Sequence, residues 1–163
     1  MQNRLSYFFV FIIVFIGCDS TQVFDEYKTV SSQWDKNEII TFNVNAPDTI
    51  TPHNLFVNLR NNNDYKYSNL FLIVEMNYPN GKVVKDTLEY EMTKADGTFL
   101  GTGFTDIKEN KLWYKEAMVF NESGVYLIKV QHAMRENGSV MGVERLDGVI
   151  DVGFRVERMA TSN

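Results

Sequence analysis

Acidic side chains are the most numerous groups in this chain that could do chemistry. Carboxylates lie close together at Asp25 and Glu26 and at Glu89 and Glu91, and Glu75 follows an apolar run. A glycosidase needs two carboxylates about 5–9.5 Å apart in a cleft. Two glutamates spaced two residues apart on a strand share one face, and the polar neighbours here are typical of a solvated face. The sequence therefore indicates no catalytic pair, and we predict no catalytic residue.

The sequence offers few candidate metal ligands. The chain has two histidines, His53 and His132, and no pair of ligands stands at the spacing of a zinc motif. We interpret His132, at the end of a predicted strand, as a hydrogen-bonded structural residue. Residues 61–64 (NNND) gather oxygen atoms in one turn, as calcium prefers, but a single carboxylate is little charge for a tight site. We predict no bound metal.

The only cysteine, Cys18, follows a short apolar run near the N-terminus. Arg4 precedes the apolar residues 7–16, and Gly17 stands directly before the cysteine. This is the pattern of a cleaved secretory signal. A membrane-spanning helix would need about 20 apolar residues, and an ordinary signal would leave an unpaired thiol in an exported protein. We therefore predict a lipoprotein signal cleaved after residue 17, with diacylglycerol and an acyl chain (palmitate) on Cys18 and no other cofactor.

Composition bounds the remaining function classes. Loss of Arg4 with the signal changes the formal net charge from −5 to −6, with 15 basic against 21 acidic residues. This balance argues against binding to nucleic acid. The 146 residues that remain suit one domain. We divide the chain into a signal peptide (1–17), a lipidated N-terminus and tether (18–36) and a β-sandwich domain (37–163).

The elements that must position any site are β-strands. Apolar residues alternate with polar ones at Ile40, Phe42 and Val44, and the same period of two recurs near residues 55–59 and 150–156. Residues 78–81 (YPNG) form the clearest hairpin turn. Residues 98–106 fit either a glycine-interrupted edge strand or a loop. About eight short strands predict an all-β, antiparallel β-sandwich, Ig-like or jelly-roll-like in architecture.

Aromatic residues are the best candidates for a binding surface. Trp113 and Tyr114 are adjacent on a predicted strand, so one of them should face outward. Trp34 lies in the segment before the first clear strand. Exposed tryptophan and tyrosine are common anchors at interfaces. We predict contacts to a partner protein or a glycan at Trp113, Tyr114 and Trp34.

Several phrases together resemble the gliding motility lipoprotein GldH family of Bacteroidetes. They are FDEY (24–27), NLFVNLR (54–60), SNLFLIV (68–74), LGTGFTD (100–106) and QHAM (131–134). The resemblance covers essentially the whole mature chain. It implies a lipoprotein needed for surface gliding in bacteria whose motility is coupled to type IX secretion. It brings no active-site residues, and only Cys18 matches a position of known role, as lipid acceptor.

The same bacteria modify exported proteins at Asp-Ser/Thr motifs, and three segments look like such O-glycosylation acceptors. Their hydroxyl residues are Ser20, Thr49 and Thr87. Thr87 also fits an ordinary strand residue. The residues after Cys18 lack the acidic run of a surface-export signal, which favours a periplasm-facing anchor and leaves inner or outer membrane open.

Two functions follow as hypotheses. The first is a non-enzymatic, membrane-anchored module that docks onto other envelope proteins of the gliding and type IX secretion machinery. The second is a glycan-binding lipoprotein of a polysaccharide-uptake system, with the aromatic residues as a stacking platform.

Overall fold

The computed structural model describes residues 21–31, 33–136, 138 and 140–159. The described chain contains ten strands and is all-β. In chain order they are β1 (Gln22–Thr29), β2 (Trp34–Asp35), β3 (Ile40–Asn45), β4 (Pro52–Asn61), β5 (Asn69–Asn77), β6 (Val83–Glu91), β7 (Lys108–Val119), β8 (Val125–His132), β9 (Arg145–Leu146) and β10 (Val149–Arg158). Within the described residues, no helix is long and apolar enough to cross a membrane.

Eight strands form two antiparallel sheets of four, and β2 and β9 form a separate short ribbon. The strand orders are β1-β10-β4-β7 and β3-β8-β5-β6. The pairs β1/β10, β3/β8, β4/β7 and β5/β6 are nested along the chain, as in one long hairpin that has been rolled up. This topology is that of a jelly roll. The predicted antiparallel β-sandwich is confirmed, in its jelly-roll form.

One core fills the space between the two sheets. Alternation along each strand sends apolar side chains inward, and the largest fully buried ones include Phe42, Leu55, Leu72, Tyr126 and Phe154. The hairpin at Tyr78–Gly81 forms as predicted: the Gly81 amide donates to the Tyr78 carbonyl at 2.9 Å, and Gly81 alone of its residues has positive φ, at 88°.

The structure corrects one interpretation of the sequence and decides another that the sequence leaves open. Residues 67–77 suggest a strand covered on both sides, but Phe71 and Ile73 on the outer face of β5 are only half-buried. The strand buried on both faces is β4, where Phe56 and Asn58 on the outer side are also buried. Residues 98–106, for which the sequence left an edge strand or a loop open, form a loop with isolated bridges.

The sandwich includes residues from the segment 18–36 that the sequence assigns to the tether. β1 pairs with β10 from Gln22 onward, and β2 pairs with β9. The paired structure therefore begins before residue 37. Residues 1–17 and Cys18 lie outside the described residues.

Antiparallel pairing gives the sandwich two distinct ends. The start of β1 and the end of β10 lie together with the connections 46–51, 78–82 and 120–124. We call this end the terminal pole. The opposite end, the loop pole, carries the connections 30–39, 62–68, 92–107 and 133–148. Phe104, in the connection 92–107, is fully exposed.

Candidate interaction site

Trp113 lies on β7, on the outer face of the β1-β10-β4-β7 sheet. Its side chain is 54% exposed. The ring rests against Phe56, its register partner on β4, with ring centroids 4.5 Å apart and the planes at 51°. Phe56 is itself buried. An exposed indole is thus held on a buried aromatic base, which is the arrangement expected of a binding anchor.

Hydrogen bonds and ion pairs fix the surroundings of Trp113. The Tyr90 hydroxyl, on the other sheet, donates to the Trp113 carbonyl at 2.6 Å, and burial raises the pKa of Tyr90 to about 12. Lys111 lies over the Phe56 ring, with its Nζ 4.1 Å from the centroid. The same Nζ donates to Glu157 at 2.6 Å. The backbone at Trp113 is therefore held by the other sheet, and its ring rests on Phe56 of its own sheet.

A groove of about 330 Å³ opens beside Trp113. Its walls combine aromatic, cationic and polar side chains: Asn54, Phe56, Lys111, Trp113, Glu157 and Arg158. Thr21, the first described residue, also lines it, and the Thr21 carbonyl accepts a hydrogen bond from the Arg158 amide at 2.8 Å. We call these residues the Trp113 groove. It lies toward the terminal pole.

A bulge in β7 shapes one wall of the groove. The pairing of β7 with β4 shifts register on both sides of Leu55, and Ala117 has a φ of 51°, in the left-handed region. The Ala117 amide donates to the Asn54 side-chain oxygen at 3.1 Å. β-Bulges commonly redirect side chains beside functional sites. Here the bulge orients Asn54 in the groove wall.

An ion-pair network covers the adjacent part of this outer face. Arg155 contacts Asp25 at 2.6 Å and Glu157 at 2.5 Å, and all three side chains are less than one-fifth exposed. Burial alone would raise the pKa of Glu157, but hydrogen bonds from Lys111 and Arg155 lower it. Burial alone would lower the pKa of Arg155, and its two acidic partners raise it. The charges on this part of the face are matched pair by pair.

The ion-pair network continues on the same outer face, at positions nearer the loop pole. Arg60 pairs with Glu109 at 3.3 Å and lies over the Tyr27 ring, 4.0 Å from its centroid. The Tyr27 hydroxyl donates to Glu109 at 2.7 Å. Burial, and then the bond to Glu109, raise the pKa of Tyr27 well above its usual range. Gly153 lies beneath the Tyr27 ring, where an added Cβ would come within 2.9 Å of ring carbons.

The other two aromatic residues predicted as contacts are not on the surface. Tyr114 points between the sheets and is 9% exposed, and its hydroxyl donates to Asp86 at 3.0 Å. Trp34 is fully buried, and its indole nitrogen donates to the Glu38 carbonyl at 3.0 Å. Their proposed surface contacts are therefore wrong, because alternation turns Tyr114 inward and the β2–β9 ribbon folds Trp34 into the core.

Both histidines are buried. The His132 Nε2 lies 3.0 Å from the Trp34 carbonyl, and the two rings meet edge to face at 5.3 Å. Burial lowers the pKa of His132, against the opposing effects of the Trp34 carbonyl and Asp35. His53 packs edge to face on Phe120 at 5.6 Å. These contacts are those of residues in the packed core.

Of the acidic side chains noted in the sequence, Glu89 and Glu91 line one open depression of about 790 Å³, and the others lie apart from it. Glu89 and Glu91 lie exposed on β6, and Glu89 accepts from Asn69 at 3.1 Å. Glu75 pairs with Lys129 at 2.9 Å on the outer face of the other sheet, and hydrogen bonds from Lys129 and Asn77 lower its pKa. Asp25 and Glu26 occupy successive positions of β1 and contact different cations.

The asparagine-rich turn uses its oxygens within the fold. The Asn61 side-chain oxygen accepts from Asn110 at 2.8 Å, and both residues are buried. The Asn62 oxygen accepts from the Asp64 amide at 3.0 Å. Across the part of the chain that the structure describes, no three histidine, cysteine, aspartate or glutamate residues group as metal ligands would.

Two of the predicted O-glycosylation acceptors are accessible. Thr49, in the connection 46–51, and Thr87, on β6, are both exposed. Ser20, like Cys18, lies outside the described residues.

The aromatic base of the groove was not predicted from the sequence. Leu55, Val57 and Leu59 point inward, so the residues between them must point outward. Phe56 is the one large apolar residue in that outward row, among asparagines and Arg60. That break in the polar row was the available signal. Thr21 and Arg158 had no such signal, because they reach the groove only through the pairing of β1 with β10.

Comparison with known proteins identifies one protein family and two similar proteins. The family profile described as GldH lipoprotein matches residues 22–156. The chain is 51% identical over 160 residues to the gliding motility lipoprotein GldH homolog of Christiangramia forsetii, covering 97% of this chain and 98% of that protein. It is 51% identical over 146 residues to gliding motility lipoprotein GldH of Flavobacterium johnsoniae, covering 90% and 91%.

A more distant overlap occurs among solved structures. The infectious bursal disease virus VP2 subviral particle overlaps with a TM-score of 0.36 and 17% identity, over 86% of this chain and 34% of that chain. The present chain spans about a third of that viral chain, and an overlap this weak carries no argument.

Proposed function

Because the chain belongs to the GldH lipoprotein family, a family of gliding motility lipoproteins, we propose that it acts as a non-enzymatic, membrane-anchored interaction module. Its lipid attachment would be Cys18, which stands directly after a signal-like segment. Diacylglycerol on that thiol and an acyl chain on the α-amino group of Cys18 that cleavage would free would hold the domain in the membrane, since one chain alone binds only marginally. The domain would face the periplasm, within the cell envelope.

The observation that carries the proposal is the Trp113 groove. An exposed indole on a buried aromatic base, with cations beside it, is a surface built for contact. The carboxylates, by contrast, lie on solvated faces or in ion pairs, and this supports a role without catalysis. The proposed partners are other envelope proteins of the gliding and type IX secretion machinery, and the lipid bilayer.

A complementation experiment tests the anchor and the groove together. The gene is deleted in its own bacterium and restored as wild type, Cys18→Ala, Trp113→Ala or Phe104→Ala. We expect spreading with wild type and with Phe104→Ala, which removes a fully exposed ring at the loop pole. We expect reduced spreading with the other two variants at equal protein levels. Normal spreading of the deletion strain would contradict the proposal, and secretion of type IX cargo reports whether that machine is involved.

The groove also favours one alternative, a glycan-binding lipoprotein of a polysaccharide-uptake system. Indole faces stack on sugar rings, and Asn54 and Lys111 beside Trp113 could donate hydrogen bonds to hydroxyls. Retardation in gels containing polysaccharide, lost in Trp113→Ala, would support this alternative. Modification at Ser20, Thr49 and Thr87 is proposed separately, and intact-mass measurement of the native protein and of the Thr-to-Ala variants tests it.

A further inference from the structure

The first residue that the structure describes lies at the Trp113 groove. Thr21 lines the groove and is hydrogen-bonded to Arg158 on its rim. Cys18 precedes Thr21 by three residues. Three residues of extended chain span at most about 11 Å. A lipid on Cys18 therefore holds this groove close to the membrane surface, whereas the loop pole lies at the far end of strands of 8 to 10 residues.

The side chains of the groove suit the headgroup layer of a bilayer. Tryptophan concentrates at membrane interfaces because its ring is apolar and its N–H is polar. Trp113 is 54% exposed. Lys111 and Arg158 are exposed beside it, and long cationic side chains can reach lipid phosphates while their stems cover apolar surface. Trp113 would supply the apolar contact, and Arg158 would supply the cationic contact, since Lys111 is already paired with Glu157.

This face also carries little of the acidic excess of the chain. The whole protein has a formal net charge of −5, which would repel anionic headgroups. On the outer face of the β1-β10-β4-β7 sheet, however, each described acid of the network has a cationic partner. The pairs are Asp25–Arg155, Asp151–Arg60, Glu109–Arg60 and Glu157–Lys111. Arg60 serves two of these acids, so the network sets three cations against four acids, a much smaller acidic excess than that of the whole chain.

We propose that the Trp113 groove contacts the headgroup layer of the bilayer in which the chain is anchored. The proposal rests on the lipid anchor at Cys18 proposed above. The sandwich then lies with this face against the membrane, and the outer face of the β3-β8-β5-β6 sheet is left open to protein partners.

The two tryptophans make the contact directly measurable. Trp34 is fully buried and Trp113 is exposed, so the difference between wild type and Trp113→Phe isolates the Trp113 emission. The full chain is purified from membranes and reconstituted into phosphatidylethanolamine–phosphatidylglycerol vesicles, with and without brominated phosphatidylcholine. Flotation and mass measurement verify the anchor. The matched control is Phe104→Trp in the Trp113→Phe background, which moves the reporter to the loop pole.

We expect brominated lipid to remove most of the Trp113 emission and aqueous iodide to remove little. The reporter at residue 104 should behave in the opposite way. Accessibility of Trp113 to iodide in vesicles, without quenching by brominated lipid, overturns the proposal. So does quenching of the residue 104 reporter by lipid, or a protection of Trp113 from iodide that rises with protein density, which would identify a second copy as the occupant.

Failure of the anchor gives a different result. If the purified chain carries no acyl groups and does not float with the vesicles, the lipid attachment in the proposed function is wrong, and this inference falls with it. If the chain floats and Trp113 remains exposed to iodide, only the inference falls.

Discussion

Trp34 and Trp113 are the two tryptophans of the chain, and each packs against another aromatic ring. Trp34 lies on the two-residue strand β2, and Trp113 lies in the middle of the twelve-residue strand β7. The first is fully buried against His132, and the second is half-exposed on Phe56. The same residue type thus closes the core in one region and faces solvent in the other.

The difference between the two regions comes from their backbone surroundings. Around Trp34, the β2–β9 ribbon covers the ring, and the Glu38 carbonyl satisfies its N–H. Burial of tryptophan is stable only when that N–H finds a partner. Around Trp113, the ring lies on the outer face of an open sheet, and charged side chains surround it. An aromatic residue in a sandwich is therefore given its role by the side of the strand on which it stands and by what covers that side.

Replacement of Trp34 by alanine should have the largest effect on stability. Removal of a fully buried large aromatic side chain typically costs about 3–5 kcal/mol, because apolar burial is lost and a cavity remains. Urea unfolding followed by circular dichroism should show this loss for Trp34→Ala. Phe104→Ala, at a fully exposed ring, should stay within about 0.5 kcal/mol of wild type. Equal losses of stability in the two variants would contradict the assignment of Trp34 to the core.

The outer face of the Trp113 region should depend on Arg155 more than on the indole itself. Arg155→Ala leaves the largely buried carboxylates of Asp25 and Glu157 without this cation. Breaking a buried ion pair from one side costs about 3–5 kcal/mol. Because these side chains are partly exposed, we expect a loss of about 3 kcal/mol. Lys66→Ala removes an exposed pair with Asp147 and should cost less than about 1 kcal/mol. A similar loss of unfolding free energy in both variants would show that the ion-pair network around Arg155 contributes little to stability.

Features that depend on neighbours in the chain could be predicted from the sequence, whereas features that depend on pairing between distant strands could not. The strands, the hairpin at residues 78–81 and the opposite orientation of Trp113 and Tyr114 depend on neighbours in the chain, and period-two alternation predicts them. Trp34 gave no such signal. β2 has only two residues, and its partner β9 is more than a hundred residues away along the chain.

The groove shows the same limit. Phe56, Trp113 and Arg158 come from three strands and Thr21 directly precedes a fourth, β1, and the sheet order β1-β10-β4-β7 is what brings them together. Alternation could place Phe56 outward, but it could not place Phe56 next to Trp113. Without the register of β4 and β7, the aromatic pair and the groove beside it are not visible in the sequence.

The pH dependence of stability should report on the Trp34 region. Burial lowers the folded-state pKa of His132 below its ordinary value of 6.5. Between the two pKa values the unfolded chain binds more protons, so stability rises with pH through that window. His132 thus gives a contribution that is complete above about pH 6.5 and lost as the pH falls toward its folded-state pKa.

Urea midpoints at about pH 7.5 and about pH 5.5 measure this contribution. The drop in midpoint on acidification should be smaller in His132→Gln than in wild type. An equal drop in both would mean that the titration of other groups causes it. Trp113→Phe should keep the wild-type drop, because the substituted residue lies outside the Trp34 region.

Trp113→Ala should cost much less stability than Trp34→Ala. The half-exposed indole contributes mainly its contact with Phe56, and cross-strand aromatic pairs are worth about 1 kcal/mol or less. Trp113→Phe should retain most of that. A loss as large as that of Trp34→Ala would show that the ring supports the fold rather than a contact surface.

The smallest effect should be a gain, at the bulge beside Trp113. Ala117 has a left-handed backbone conformation, with φ at 51°, which costs about 1–2 kcal/mol for a residue with a Cβ. Glycine removes that strain but loses about 0.5–1 kcal/mol of its own in chain entropy. Ala117→Gly should therefore stabilise the protein by about 0.5 kcal/mol in urea unfolding. Ala133→Gly, at a position where φ is not positive, is the matched control and should not stabilise.

Because the amide of residue 117 still reaches Asn54, the groove should keep its shape in Ala117→Gly, and iodide should quench Trp113 to the same extent as in wild type. A destabilised Ala117→Gly would mean that the alanine methyl packs usefully at the bulge and that the backbone there is not under strain.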